Sequence, residues 1–392
     1  MEHSCRRARI RTSLRAPRRA FIECQTPSTI APSISAGSRA AVVTTVKDFR
    51  HLADSWVSYH LAIGFVHLYI YFDDPDELPS INLGSRFPAN QLTCVPHDAK
   101  LRREWAKLKR IEPRTLKLAE SEVQTRQQLN ARHAIGLALA RGNIDWLLHI
   151  DADELFYPGP KTDAATHFGG LNQAGVATFC YQNHEAVPER HGIIDPFKEV
   201  SLFKRSLELV KHTQEAQIAV DFWQCRQDGM FFYYYDNGKA AVRVSEDARP
   251  LSVHEWLPGS AEGMEAWYSN MATPWAGRGE LGGIVKYMKS EAAILHYPCY
   301  NVDALWIRWK RGNDNYRLGG REDPPPLHAM VCRAANAAHA QGGEAAARKV
   351  VTKLFEEQVM LTDQGELERQ QRSGVCERIR APMRLLGGSV KK

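Results

Sequence analysis

Asp145-Trp-Leu-Leu-His-Ile-Asp-Ala-Asp-Glu-Leu-Phe156 is the stretch that decides the fold. Its apolar run at residues 146–150 is too short for an isolated helix and is typical of a buried strand. Three carboxylates follow the run, at Asp151, Asp153 and Glu154. Because side chains alternate along a strand, Asp151 and Asp153 are expected to share one face. The alternative interpretation is a solvated acidic turn at the end of a strand.

Strand and helix signals alternate along the first half of the chain. Apolar, β-branched runs predict strands at residues 40–46, 66–72 and 91–95, and helical periodicity predicts helices around residue 56 and over residues 120–140. This alternation favours an α/β fold with a doubly wound, mostly parallel, Rossmann-like sheet that is flanked by helices. An Ala-, Glu-, Arg- and Lys-rich composition predicts two further helices over residues 326–362, followed by a polar tail.

Acidic residues also follow a second predicted strand. Asp73 and Asp74 come directly after residues 66–72, just as Asp151 and Asp153 follow the strand of the opening stretch. The carboxyl ends of parallel strands lie at the same edge of a sheet, and open α/β sheets bind their ligands at that edge. We therefore expect both acidic pairs to line one cleft.

The runs on either side of Asn237-Gly238 predict a β-hairpin, because Asn-Gly is a strong signal for a type I′ turn. Lys239 and Arg243 would share one face of that hairpin. Two cations there would suit a diphosphate, although a solvated hairpin face accounts for the same pattern.

Charge is concentrated at the N-terminus. The 392-residue chain carries a net charge of +6, and residues 1–39, with eight arginines, no lysine and two acids, account for all of it. The remaining chain is neutral overall, which argues against nonspecific binding of nucleic acid by the folded part. The Arg-, Ser- and Pro-rich composition of residues 1–38 is typical of an organelle transit peptide or a disordered arm.

Cysteine spacing and hydropathy point to no particular compartment. The eight cysteines include no C-x-x-C pair and no metal-type spacing. No run of about 18 apolar residues occurs, so no membrane span is expected. We expect three regions: a basic segment at residues 1–38, an α/β domain at residues 39–325, and a helical extension with a polar tail at residues 326–392.

The paired aspartates point to metal-assisted chemistry on a phosphate. Carboxylates of this kind suit Mg²⁺ or Mn²⁺, with phosphate oxygens completing the coordination. A metal on Asp151 and Asp153 beside Lys239 would stabilise the charge that develops on a departing nucleotide diphosphate. Asp73 or Asp74 would accept hydrogen bonds from the base or the ribose.

A hydroxyl acceptor would need a general base that does not also bind the metal. Glu185, which follows a strand predicted at residues 175–181, is the first candidate, and Glu154 and Glu255 are the alternatives. Phosphatases of the haloacid-dehalogenase type also place Asp-x-Asp after a strand. They carry a threonine where this chain has Leu155, and their motif follows the first strand, so they match less well.

Several motifs occur in one fixed order along residues 40–315. They are Trp56-x-x-Tyr59-His60, Gly64-Phe65-x-His67-x-Tyr69-x-Tyr71, Trp146-Leu-Leu-His-Ile-Asp-Ala-Asp-Glu154, Asn237-Gly238-Lys239 with Arg243, Val253-His254 and His296-Tyr297. This ordered set resembles the GT-A glycosyltransferases of the family 2-like and family 92 group. Asp73-Asp74-Pro75 stands where that group more usually has Asp-Asn-x-Ser.

The resemblance implies a GT-A fold and a hexosyltransferase-like enzyme. Such an enzyme would move a sugar from a nucleotide sugar, UDP- or GDP-linked, to a glycan or other hydroxyl acceptor, with inversion and with Mn²⁺ or Mg²⁺. By position, Asp151 and Asp153 would contact the metal and the diphosphate, and His254 or His296 would complete the metal site. Single histidines are otherwise more often structural. A non-catalytic relative that binds a glycan or a nucleotide is the alternative.

The resemblance also bears on partners and location. Neither a nucleic acid nor a membrane span is expected. The Golgi or secretory pathway is expected if an anchor is missing from this sequence, and an organelle is expected if residues 1–38 form a transit peptide.

Overall fold

The computed structural model describes residues 37–234, 237–259, 265–269, 285–288, 290–319 and 326–387. Residues 1–36, which make up nearly all of the predicted basic segment, lie outside this description, as do Tyr235 and Asp236 of the predicted hairpin. Within the described part of the chain, no helix is long and apolar enough to cross a lipid bilayer.

The described strands are short, and most of them are buried. In chain order they are β1 (Ala40–Val46), β2 (His67–Phe72), β3 (Leu92–Pro96), β4 (Trp146–His149), β5 (Glu154–Tyr157), β6 (Val176–Tyr181), β7 (Asn183–Ala186), β8 (Leu202–Lys204), β9 (Lys239–Arg243), β10 (Arg249–Pro250), β11 (Trp256–Leu257), β12 (Glu265–Ser269), β13 (Val285–Met288), β14 (Ala293–His296) and β15 (Cys376–Arg378).

The α-helices flank these strands and fill the C-terminal part of the chain. They are α1 (Ala53–Ala62), α2 (Glu77–Ile81), α3 (Ala99–Ala106), α4 (Pro113–Leu118), α5 (Val123–Arg141), α6 (Ala164–Gln173), α7 (Pro196–Glu199), α8 (Gln214–Arg226), α9 (Val302–Gly319), α10 (Pro326–Leu354), α11 (Gln364–Arg372) and α12 (Ala381–Leu385).

The first sheet has eight strands in the order β13-β12-β6-β9-β4-β1-β2-β3. Its neighbouring strands are parallel except where β9 pairs with β4 and with β6. The sheet is therefore mostly parallel, and its helices lie on both faces, so the predicted α/β architecture is confirmed. The chain adds β2 and β3 on one side of β1 and then β4 on the other, so the strand order reverses at β1.

Both faces of the first sheet are covered because successive side chains of its strands alternate between two hydrophobic clusters. Val42 packs on one face in a cluster with Trp56 of α1 and Phe168 of α6. Val43 packs on the other face in a cluster with Leu129 of α5. Burying each such side chain contributes roughly 1.5–3 kcal/mol, which explains the near-continuous apolar character of β1.

The second sheet has five strands in the order β15-β8-β7-β14-β5. The chain leaves the first sheet at the end of β4 and enters the second sheet at β5, so residues 150–153 connect the two sheets. Helix α1 holds β5 by its backbone: Trp56 Nε1 donates to Glu154 O at 2.9 Å, Tyr59 Oη donates to Phe156 O at 2.9 Å, and Phe156 N donates to His60 Nε2 at 3.3 Å.

The predicted hairpin is wrong. β9 pairs with β4 on one side and β6 on the other, and residues 231–234 do not form a strand. The reason is a competing partner: the backbone N–H groups of Tyr233 and Tyr234 both donate to the carboxylate of Glu185, at 2.6 Å each, and not to a neighbouring strand. Asn237-Gly238 therefore leads into a central strand of the sheet.

The C-terminal part contains the expected helices and more order than its polarity indicated. Non-helical backbone at Gly342 and Gly343 divides α10 in two. The expected polar tail contains α11, β15 and α12, and β15 pairs antiparallel with β8 in the second sheet. Gln370 explains part of this order, because its side chain accepts a hydrogen bond from Trp223 Nε1 at 3.0 Å in the core.

Candidate active site

The Asp-x-Asp segment lies at the carboxyl edge of the first sheet, in the connection between β4 and β5. Neither Asp151 nor Asp153 belongs to a strand, since β4 ends at His149 and Ala152 and Asp153 form a turn. The expected alternation along a strand is therefore not what places them. Asp73 follows β2, and β2 and β4 are both parallel neighbours of β1, so Asp73 and the Asp-x-Asp segment share the edge where the strand order reverses.

Asp151 is held between a strand and a helix. Its Oδ2 accepts from Lys239 Nζ of β9 at 2.6 Å, and its Oδ1 accepts from Gln127 Nε2 of α5 at 2.9 Å. Burial acts to raise the pKa of Asp151, but the Lys239 ammonium more than offsets this, and the pKa lies below its ordinary value. Asp151 is therefore a carboxylate whose two oxygens both have donors.

Asp153 faces the opposite side, toward the second sheet and α9. Its Oδ2 accepts from Arg308 Nη2 and lies 3.5 Å from His296 Nε2. Burial acts to raise the pKa of Asp153, whereas Arg308 and His296 together hold that pKa well below its ordinary value. The backbone carbonyl of Asp153 accepts from Tyr297 N at 2.9 Å, which fixes the turn against β14.

Glu154 begins β5 and is 2% exposed. Its Oε2 accepts from Asp151 N at 2.8 Å and lies 3.8 Å from Lys239 Nζ. Burial raises the pKa of Glu154 to about 7, although Lys239 acts against the rise. Of the three carboxylates in the opening stretch, Glu154 is thus the one that titrates near neutral pH.

Lys239 reaches this cluster because β9 runs antiparallel through the centre of the first sheet. Gly238, just before it, has φ +69°, and a Cβ there would lie 1.8 Å from Tyr181 O, so only glycine allows β9 to begin at this point. His254 Nδ1 bonds to the Gly238 carbonyl at 2.8 Å. Burial and the Lys239 charge lower the pKa of His254 to about 4.

His296 and two glutamates form a row across the second sheet. β14 lies between β5 and β7, so His296 pairs with Glu154 on one side and with Glu185 on the other. Burial acts to lower the pKa of His296, but Asp153 outweighs it and the pKa is raised. Tyr234 packs edge-on against the imidazole, with 5.9 Å between ring centroids.

Glu185, the first candidate for the general base, is occupied by structural partners. Its side chain is 3% exposed, and its Oε1 lies 2.6 Å from Lys204 Nζ. The same carboxylate accepts from the backbone amides of Tyr233 and Tyr234. Glu185 therefore holds the 231–234 segment against the second sheet. Glu154 is equally buried, at 2% exposure, so its choice as the base rests on its raised pKa.

The other residues named from the sequence lie farther from the Asp-x-Asp carboxylates or have other partners. Asp73 forms a two-pronged ion pair with Arg126 of α5, at 2.5 and 2.8 Å. Asp74 is exposed, and its Oδ1 accepts from the backbone of the turn that follows. Glu255 is 3% exposed. Arg243 lies four residues along β9 from Lys239, roughly 14 Å away at the opposite end of the strand.

Two residues of the site were missed from the sequence: Gln127 and Arg308. Gln127 stands in the first turns of α5, which cross the carboxyl edge of the sheet. Arg308 stands on α9, whose start is fixed by Asn301, since Asn301 Oδ1 accepts from Ala304 N at 2.8 Å. The sequence predicted the start of α9 from its capping residue, Asn301, and the buried pair Leu305 and Trp309 indicates which face of the helix is buried. Neither feature shows which residue of α9 would face Asp153.

A divalent cation fits this site by ligand type but not by charge. Asp151, Asp153 and His296 offer the oxygen and nitrogen atoms that Mn²⁺ binds. Both carboxylates, however, already contact a cation, Lys239 or Arg308. Two like unit charges about 4 Å apart repel each other by about 4 kcal/mol at an effective dielectric constant of about 20. A divalent ion placed at that distance from Lys239 or Arg308 would be repelled by each of them roughly twice as strongly.

In the part of the chain that the structure describes, no group of three or more His, Cys, Asp or Glu side chains has an arrangement that could hold a metal ion. As the side chains stand, the site does not fit the expected Mn²⁺ or Mg²⁺.

Known proteins resemble this chain at low identity. It is 26% identical over 336 residues to a protein of Arabidopsis thaliana named "Glycosyltransferase-like At2g41451", which covers 84% of this chain and 67% of that protein. It is 29% identical over 209 residues to "Glycosyltransferase-like At3g57200", also from Arabidopsis thaliana, which covers 51% of this chain and 40% of that protein. The chain thus spans less than half the length of the second relative.

Solved structures match the fold only distantly. They include TarS of S. aureus, with a TM-score of 0.28, 10% identity and coverage of 88% of this chain and 82% of that one. An active-site mutant of LgtC matches with a TM-score of 0.25, 12% identity and coverage of 73% and 97%. No protein-family model matches the chain.

Proposed function

We propose that the protein is a glycosyltransferase that moves a sugar from a nucleotide sugar to a hydroxyl group of a glycan or another acceptor. The proposal rests above all on one observation: paired carboxylates and paired cations meet at the carboxyl edge of a mostly parallel sheet, where the strand order reverses. Asp151 with Lys239 and Asp153 with Arg308 form this cluster. The names of the two plant relatives support the same class of reaction.

The proposed chemistry is a single displacement with inversion at the anomeric carbon. The acceptor oxygen forms the new bond while the bond to the diphosphate breaks, and the electron pair leaves with the diphosphate. A base takes the acceptor proton. Glu154 suits this role because its pKa of about 7 lets it accept a proton near neutral pH.

The finer features expected from the sequence are proposals as well. They are a UDP- or GDP-linked donor and a hexose as the transferred sugar. The proposed reaction does not include the Mn²⁺ or Mg²⁺ expected from the sequence, because Asp151 and Asp153 are already paired with Lys239 and Arg308. Asp73 is proposed to orient the nucleobase or the ribose of the donor through its pair with Arg126.

The test is turnover of UDP-, GDP- and CMP-sugars, measured as release of the nucleotide with and without Mn²⁺. We expect one donor to be consumed, and we expect Asp153→Asn and Glu154→Gln to lower the rate by about a hundredfold or more. Asp303→Asn is the control, because Asp303 is 73% exposed and pairs with Arg348 at the surface.

Two results would count against the proposal. If no nucleotide sugar binds or is consumed, the protein is not a glycosyltransferase. If a donor binds but no acceptor array supports turnover, the non-catalytic alternative holds. Full activity in Asp153→Asn would leave the reaction class standing but remove this site from it.

A further inference from the structure

The Asp-x-Asp carboxylates are already neutralised by the chain itself. Lys239 Nζ lies 2.6 Å from Asp151 Oδ2 and 3.8 Å from Glu154 Oε2. Arg308 contacts Asp153 on the other side. The side chains of Asp151, Asp153 and Arg308 are 33%, 21% and 25% exposed, so a ligand at the sheet edge can reach this cluster.

Arg308 is held in place by partners other than Asp153. Its Nε donates to the carbonyl of Pro298 at 2.5 Å, and its guanidinium lies 4.5 Å from the ring centroid of Tyr234. Tyr234 in turn is fixed through its backbone amide by Glu185. The orientation of the guanidinium is thus set by the fold before any ligand arrives.

Lys239 is equally constrained. It is 1% exposed at the start of a central strand, and its Nζ also lies 3.5 Å from the carbonyl of Val253. The buried Lys239 ammonium can act on a phosphate only through its charge, whereas the Arg308 guanidinium, with five donors, can bond a carboxylate and a phosphate at the same time. A cation that bonds both groups would supply the positive charge between carboxylate and phosphate that a metal ion would otherwise supply.

We propose that Lys239 and Arg308, and not a divalent cation, neutralise the diphosphate of the donor, so that binding and transfer proceed without metal. The inference rests on the proposed function. The two cations act differently: Arg308, which is 25% exposed, joins Asp153 to the diphosphate oxygens, and Lys239, which is 1% exposed, acts through its charge without contact. They stabilise the negative charge that the diphosphate gains when its bond to the anomeric carbon breaks. Arg308 takes the role that the sequence pattern predicted for Arg243.

The first experiment measures thermal unfolding of the full chain with UDP, GDP or inorganic pyrophosphate, each in EDTA and in Mn²⁺. A ligand that binds only the native state raises the melting temperature. We expect at least one nucleoside diphosphate to raise it equally with EDTA and with Mn²⁺. Mn²⁺ alone is expected to leave the melting temperature unchanged.

The second experiment compares Arg308→Gln with Lys310→Gln. Both variants remove one cation from α9, but Lys310 is 47% exposed and pairs with Glu344 at the surface. We expect Arg308→Gln to weaken nucleoside diphosphate binding in EDTA by about tenfold or more, because a charge-assisted hydrogen bond is lost. Since Asp153 then keeps only His296 among the two partners described above, Mn²⁺ is expected to restore part of the affinity. Lys310→Gln should match the native chain in both conditions.

The outcomes separate this inference from the proposed function. Binding that requires Mn²⁺ in the native chain overturns the inference and leaves the proposed function intact. Absence of nucleotide binding in both conditions overturns the two together. Native affinity of Arg308→Gln in EDTA also overturns the inference. If Arg308→Gln does not fold, Arg308→Lys serves instead, because lysine keeps the charge but lacks the paired donors of the guanidinium. Its affinity in EDTA is expected to lie below that of the native chain, and native affinity would overturn the inference.

Discussion

Glu185 and Lys204 form an ion pair in the interior of the second sheet. Their side chains are 3% and 2% exposed, and they lie opposite each other on β7 and β8. Lys204 Nζ also donates to the carbonyl of Phe231 at 2.6 Å. Together the two charged groups hold residues 231–234 next to Arg308, so a pair remote from the proposed reaction orders part of the site.

We expect Glu185→Gln to lower the free energy of unfolding by about 3 kcal/mol, because it leaves the buried Lys204 ammonium without its counter-charge. The amide nitrogen of the new side chain would also face a backbone donor, that of Tyr233 or Tyr234. Urea denaturation followed by circular dichroism measures the change.

Glu189→Gln is the matched control for this variant. Glu189 pairs with Arg378, but the two side chains are 29% and 25% exposed. Such pairs contribute less than about 1 kcal/mol, so a small loss is expected. Equal losses of unfolding free energy in Glu185→Gln and Glu189→Gln would show that burial does not increase the contribution of the Glu185–Lys204 pair to stability.

At the scale of secondary structure, the contact between α1 and β5 explains why the motif Trp56-x-x-Tyr59-His60 accompanies the Asp-x-Asp segment. All three side chains bond to the backbone of β5, whose first residue is Glu154. The spacing of three and four residues places them on one face of the helix. The motif thus positions the acidic turn without contacting a ligand.

Tyr59→Phe tests this contact. The variant leaves the buried carbonyl of Phe156 without the hydroxyl that it accepts from, and we expect a loss of about 1–3 kcal/mol in unfolding free energy. Tyr69→Phe is the control: the Tyr69 hydroxyl is buried with no hydrogen-bond partner among the described residues, so its removal should be neutral or stabilising. Similar losses in both variants would contradict the assignment.

The elements of the first sheet were largely predictable because their signals are local. β1 is confirmed at residues 40–46, and α5 is confirmed within a few residues. Lys239 was named because Asn237-Gly238 predicted a hairpin, and it lies at the site although that hairpin is wrong. The pairing of β9 was not predictable, since a run of five residues does not show which strands it will lie between.

The site depends on contacts across much longer stretches of chain. Asp153 and Arg308 are separated by 155 residues, and Asp151 and Lys239 by 88. Sequence periodicity shows which face of α9 is buried, yet many polar positions on that helix satisfy the same pattern. The sequence pattern therefore pointed to Arg243, and no signal singled out Arg308, which the fold places beside Asp153.

At the scale of the whole molecule, buried histidines set the response to acid. Burial lowers the pKa to about 3 for His60 and His149 and to about 4 for His167 and His184. In the unfolded chain these groups bind protons below about pH 6.5. The unfolded state therefore gains protons first, and stability is expected to be full above about pH 6.5 and to fall toward pH 4 by up to about 1.4 kcal/mol per pH unit for each histidine.

Urea midpoints across this pH range measure the effect. His184→Gln should reduce the slope of stability against pH, whatever its effect at neutral pH. His212→Gln, at an exposed position, should leave the slope unchanged. A slope that is the same in the native chain and in His184→Gln would show that this histidine does not remain neutral in the folded protein.

The hydrogen bonds between α1 and β5 also affect how readily the protein aggregates in solution. Among the described strands, β5 is the terminal strand of the second sheet, and it pairs with β14 along its inner edge. The outward carbonyls of Glu154 and Phe156, and the amide of Phe156, are all engaged by side chains of α1. Because these outer hydrogen-bonding groups of β5 already have partners, a strand of a second copy cannot pair with them. The three side chains that position the acidic turn therefore also protect this edge of the second sheet from edge-to-edge aggregation.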